Sequence, residues 1–85
     1  MPTISMFYGI LIRMYYDDHN PPHIHAYYND NEAIFTFEGK IIKGSFPSKQ
    51  LKLVEAWCII HTKELEANWL LCKDSEELFN IQPLS

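Results

Sequence analysis

The pattern of apolar and polar positions divides the chain into a sheet-forming half and a helical C-terminal third. From Phe7 to Tyr16, aromatic and aliphatic residues follow one another without a helical stripe. Gly9 weakens a helix further, so the stretch predicts a strand. His23 to Tyr28 forms a second run and stops at Asn29-Asp30-Asn31, residues that tolerate left-handed turn geometry. Glu32 to Phe37 then resumes the alternation, which reads as a β-hairpin. A tight turn at Glu38-Gly39 hands the chain to Lys40 through Ser45 and makes a meander.

Sorting side chains by face suggests a register. A two-residue turn at Asp30-Asn31 sets Tyr28 against Ala33, Ala26 against Phe35 and Ile24 against Phe37, and Phe35 then meets Ile42 across the second turn. That face is the expected core side. The opposite face carries His23, His25, Tyr27, Ile34, Thr36, Glu38, Ile41 and Lys43, with His23 across from Glu38 and His25 across from Thr36. Both strand histidines therefore point away from the main core, toward solvent or a partner.

Beyond Ser45 and Pro47, a helix-opening pair, Leu51, Leu53, Val54, Trp57, Ile60, Leu65, Trp69 and Leu70 recur at helical spacing. No Gly or Pro interrupts Ser48 to Ile81. His61-Thr62 followed by Glu64 resembles a new helix start with an acid in its first turn, so one kinked helix and two helices both fit. Trp57 and Trp69 are the expected core anchors. The tail from Phe79 to Leu84 alternates apolar and polar residues and suggests a short edge strand. The expected architecture is α+β: an antiparallel β-meander of three to four strands, then one kinked or two C-terminal helices packed on one sheet face.

Composition narrows the picture. Eighty-five residues suit a single domain over 1–85, and 47% apolar with 14% aromatic residues suffices for one packed core. A net charge of -4 gives no general attraction to nucleic acid phosphates or anionic lipid, so direct nucleic acid binding is disfavoured. Lys40, Lys43, Lys49 and Lys52 cluster near the sheet end and helix start, and read as a solvated surface. Cys58 and Cys72 fall in helical stretches and read as small buried hydrophobes. With no secretory pattern and no apolar run near the roughly 20 residues that cross a bilayer, a reduced cytoplasmic location without membrane contact is expected.

The concentrated chemistry lies in Asp17-Asp18-His19-Asn20-Pro21-Pro22-His23-Ile24-His25. His23 and His25 leave the same face of a strand with Cα atoms about 6.6 Å apart, close enough to share a divalent metal. Glu38, across from His23 in the register above, is the candidate third ligand or the carboxylate that orients the imidazole. His19 would stand about 12 Å away along an extended Asn-Pro-Pro path. Only a turn at Asn20-Pro21, or a cis proline, would fold His19 or Asp18 back to complete a site. An alternative makes His23 or His25 a general acid or base, working with Glu38, Tyr27 or Asp18 on a phosphodiester. The plainest alternative gives the histidines only hydrogen bonds to neighbouring loops, while the tyrosine-rich polar face meets a protein. Acyl transfer and nucleotide triphosphate chemistry find no nucleophile elbow or glycine-rich loop.

Phe7-Tyr8-Gly9-Ile10, then Asp18-His19-Asn20-Pro21-Pro22-His23-Ile24-His25-Ala26, a helix from near Leu51, Glu64-Leu65-x-x-Asn68-Trp69 and a terminal Ile81-x-Pro83-Leu84 together resemble small bacterial proteins grouped as domain of unknown function 4160. The likeness covers nearly the whole chain. It implies a small protein partner from a neighbouring gene, a domain of unknown function 2442, in a toxin–antitoxin-like module. Messenger-RNA-cleaving toxins of similar size and α+β build are typically basic, and this chain departs from that pattern. Two functions fit these residues. The first is a protein-binding component of such a module, alone or as a homo-oligomer. The second is a metal-dependent or histidine-based nuclease or hydrolase, with His23, His25 and Glu38 as catalytic and metal-ligating candidates.

Overall fold

The first apolar run folds back on itself rather than continuing. Tyr8 and Gly9 both take positive φ (50° and 78°), which is what a two-residue hairpin turn requires and which Gly9 adopts without steric cost. The expected strand from Phe7 to Tyr16 shortens to β2 (Ile10–Arg13), and its first residue, Phe7, instead ends an additional strand, β1 (Thr3–Phe7), where it pairs with Ile10. In this computed structural model, which describes residues 2–84, they begin a five-stranded antiparallel meander. It continues through β3 (His23–Tyr28), β4 (Asn31–Thr36) and β5 (Ile41–Gly44) in simple sequence order.

The β3–β4 turn is Asn29-Asp30, with Asn29 at φ 53°, one residue earlier than expected. Tyr28 now pairs with Asn31, Ala26 with Ala33, Ile24 with Phe35, His25 with Ile34 and His23 with Thr36. The partners shift by two residues, so every side chain keeps its expected face. Ile24, Ala26, Ala33 and Phe35 are buried accordingly. At the next turn the pairing shifts between Ile34 and Phe35. Phe35 meets Ile41 rather than Ile42, Ile41 packs against the core and Ile42 is left exposed. An irregularity of this kind re-aims side chains, which is why strict alternation misassigned this pair.

The helical third forms α1 (Ser48–Ile60) and α2 (Thr62–Lys73), so the two-helix alternative holds. At the junction His61 has ψ 27°, its Nδ1 lies 2.9 Å from Glu64 Oε2, and the Thr62 hydroxyl donates back to the Cys58 carbonyl at 2.9 Å. Val54, Trp57, Cys58, Leu65, Trp69 and Cys72 face inward and join the buried sheet residues in one hydrophobic cluster. The Trp57 ring sits 5.4 Å from that of Phe7. Burial pushes the Cys58 thiol up to about 12, in keeping with a cysteine used for packing. No helix among the described residues is long and apolar enough to cross a membrane.

The tail does not become an edge strand. Ile81 donates one backbone bond to the Ile4 carbonyl at 2.8 Å, but side chains claim the neighbouring peptide groups. The Ser5 hydroxyl donates to Ile81 O, the Trp57 indole N–H to Gln82 O, and buried Asn68 holds Phe79 from both sides: Nδ2–H donates to Phe79 O at 2.9 Å and Oδ1 accepts from Phe79 N–H at 3.0 Å. Asn68 thus ties α2 to the tail. We expect Asn68→Ala to cost about 1–3 kcal/mol by leaving those peptide groups unpaired. Urea unfolding followed by tryptophan fluorescence checks this, and an unchanged midpoint would contradict it.

Candidate functional site

His23 and His25 leave β3 on the face away from Ile24 and Ala26, yet neither is exposed. His23 is buried, with the Trp69 ring 5.5 Å away, and His25 lies edge-on to Tyr15 at 4.5 Å between ring centroids. The expectation of an open histidine face is therefore corrected. The segment between β2 and β3 folds over the face, and α2 closes its end.

That segment provides the carboxylate. The Asn20–Pro21 bond is cis and the chain doubles back, bringing Asp18, rather than His19, to the imidazoles. Asp18 Oδ2 lies 3.1 Å from Nε2 of His23 and 3.1 Å from Nε2 of His25. His19 stays exposed on the loop. Contacts from α2 hold the returning chain: the Lys73 ammonium donates to the Asp18 carbonyl at 2.7 Å and the Cys72 thiol to the Tyr15 carbonyl at 3.3 Å. Burial, with the Asp18 charge adding to it, raises the Cys72 thiol above its ordinary range, so this cysteine is a poor nucleophile or metal ligand.

Glu38 does not join the histidines. The observed register puts Thr36 across from His23, and Glu38 sits exposed in the β4–β5 turn beside a cleft it shares with Pro21, Pro22 and Glu66. The carboxylate on the histidine side of β4 is Glu32, paired with Tyr27 and carrying Oε2 3.8 Å from His25 Nδ1. A turn at Asp30-Asn31 places Glu32 at the hairpin end, away from His25; the positive φ at Asn29 is the signal that brings it beside the histidine.

Hydrogen positions follow from the partners. His23 Nδ1 is 2.7 Å from the Pro21 carbonyl, which can only accept, so Nδ1 carries a proton. His23 Nε2 then faces a carboxyl oxygen at 3.1 Å, a contact that needs a proton on one of the two atoms or a cation between them. The donor atoms of Asp18, His23 and His25 lie within 4.8 Å of one another. Ligands about 2.0–2.2 Å from a tetrahedral zinc stand roughly 3.3–3.6 Å apart, which the two 3.1 Å separations between Asp18 Oδ2 and the imidazole nitrogens approach. A cleft of about 390 Å³ adjoins His25, lined by Glu32, Ile34, Lys43 and Gly44 among others.

The chain belongs to the family described as "Domain of unknown function (DUF4160)", whose model matches residues 9–70. No curated protein and no solved structure matches it. The matched stretch contains Asp18, His23, His25 and Glu32 together with most of both helices.

Beside the site, the Tyr15 and Tyr27 hydroxyls hydrogen-bond to each other and the Arg13 guanidinium lies over the Tyr27 ring at 5.3 Å. Burial, reinforced by the Tyr15 hydroxyl and the Glu32 charge, raises the Tyr27 phenol well above its ordinary value. A raised folded-state value means the unfolded chain loses this proton first, so Tyr27 stabilises the fold less as pH climbs past about 10. In absorbance titration at 295 nm, Tyr27→Phe is expected to remove a component that ionises well above the ordinary phenol range. Retention of that late component would contradict the assignment.

Proposed function

We propose that Asp18, His23 and His25 form a divalent-metal centre and that the protein is a metal-dependent hydrolase. The observation that carries this reading is the convergence of two Nε2 atoms on one Asp18 oxygen, with His23 Nδ1 already committed to the Pro21 carbonyl. A backbone carbonyl behind an imidazole is the usual way a ligating histidine is oriented. Two histidines and one carboxylate leave coordination positions open, as catalytic rather than structural sites do. When bound, the metal would supply Lewis-acid chemistry and an activated water.

The chain's own residues do the rest. Asp18 brings negative charge to the site and Trp69 and Tyr15 restrict solvent around the imidazoles. The cleft beside His25 offers room for a small substrate, and Lys43 on its wall favours an anionic group such as a phosphodiester. Isothermal titration with Zn²⁺ and Mn²⁺ tests the centre. Asp18→Asn, His23→Ala and His25→Ala should each weaken binding by more than the 10- to 100-fold typical of an outer partner. Glu38→Ala should leave binding unchanged. Turnover of bis(p-nitrophenyl) phosphate should fall with the same three substitutions; metal binding without turnover of phosphate or carboxylate esters would refute the hydrolase.

A second reading, as a protein-binding component of a two-gene toxin–antitoxin-like module in the bacterial cytoplasm, is favoured by the exposed Ile59 and Ile60 at the end of α1 and Leu70 on α2. Its partner would be the domain of unknown function 2442 protein. The two readings are compatible in one chain. Co-expression with the neighbouring gene product should yield a mixed complex by light scattering. A monomer or homo-oligomer that ignores the neighbour would contradict it.

A further inference from the structure

One nitrogen of the centre has no hydrogen-bond partner. His25 Nδ1 is shut off from solvent and bonds to nothing among the described residues. An unpaired buried ring nitrogen is costly, on the order of 1–3 kcal/mol, so its surroundings bear on how the ring is used.

The groups around that nitrogen leave few choices. Tyr15 presents a ring edge, and its hydroxyl is turned to Tyr27. Arg13, the cross-strand neighbour of His25 on β2, sends its guanidinium to the Tyr27 ring and the Thr3 hydroxyl. Ile34, directly across on β4, is apolar. The remaining group is Glu32, diagonal to His25 on the same sheet face, with Oε2 3.8 Å from Nδ1. Its side chain is 57% exposed, its carboxylate also neighbours the Tyr27 hydroxyl, and Oε2 stands about an ångström beyond hydrogen-bond distance from Nδ1.

We propose that Glu32 is the outer carboxylate of this centre, accepting a hydrogen bond from His25 Nδ1–H so that the Nε2 lone pair is held toward the metal. The inference rests on the metal centre proposed above. It completes a pattern the structure already half displays. His23 is oriented by the Pro21 carbonyl behind its Nδ1, and Glu32 does the same for His25 with a charged acceptor. With a proton on each Nδ1, both Nε2 atoms are free to ligate and no ring nitrogen is left unpaired. Glu32 is thus a positioning residue, acting through His25 rather than on substrate.

The test combines zinc titration of the full chain with long-range ¹H–¹⁵N spectra of its histidine rings. Glu32→Ala should weaken Zn²⁺ binding by about 10- to 100-fold. Glu32→Gln should weaken it less, since the amide oxygen still accepts from Nδ1–H without the charge. In the zinc-loaded wild type, His25 should show a protonated Nδ1 and a metal-bound Nε2. In the zinc-loaded state, Glu32→Ala should move the His25 ring resonances and leave those of His23 in place; His25 resonances that stay put would overturn the positioning role. Wild-type zinc binding with Glu32→Ala equally tight, or ligation through His25 Nδ1, would overturn the Glu32 assignment and leave the centre standing. A wild type that binds none of Zn²⁺, Mn²⁺ and Co²⁺ would remove the centre and this assignment with it. Should Glu32→Ala fail to fold, Glu32→Gln carries the comparison, and ligation through His25 Nδ1 in the wild type overturns the assignment without any variant.

Discussion

The pairing of β3 with β4 is the constraint on which both the core and the site depend. Side chains alternate faces along a strand, so a slip of one residue exchanges core and surface, whereas a slip of two preserves every face and changes every partner. The core tolerates the second kind of slip, because Ile24, Ala26, Ala33 and Phe35 stay inside either way. The chemistry does not. With the turn at Asn29-Asp30, His23 faces Thr36 and Glu32 lies diagonal to His25; with the turn one residue later, Glu38 would have faced His23. A single backbone preference, the left-handed Asn29, thus selects which carboxylate the histidines meet.

The second determinant is the return of the chain between β2 and β3. Two histidines on one strand face can only present nitrogens outward, and a third donor must come from elsewhere. Asp18 arrives because the segment doubles back at Asn20-Pro21 and is pinned from α2 through Lys73 and Cys72. The end of α2 therefore couples helix packing to the geometry of the site. Trp69 lies near the rings of both His23 and Phe37, so the same helix covers an imidazole and a core aromatic.

Much of this was legible in the residues. Alternation and helical spacing indicate a meander followed by helices, the side of the sheet that faces the core, and a two-histidine strand. The two tryptophans are buried as anchors, and the Asn20-Pro21 reversal was one of the conditions under which a third donor could join. Less visible features depended on backbone conformation. Tyr8 in a left-handed turn breaks what reads as one strand, and the irregularity at Ile34–Phe35 exchanges the roles of Ile41 and Ile42. The tail alternates like a strand, but Asn68, Trp57 and Ser5 capture its peptide groups instead. Hydropathy does not encode such side-chain-to-backbone competition.

The central claim is that Asp18, His23 and His25 share one metal ion. X-ray absorption at the zinc edge of the loaded protein tests it most directly. A shared ion gives a shell with two imidazole nitrogens at about 2.0–2.1 Å and a carboxylate oxygen at about 2.0–2.2 Å, with light-atom donors filling the remaining positions. A shell of oxygen ligands alone, without the outer-ring signals of imidazole, would contradict it.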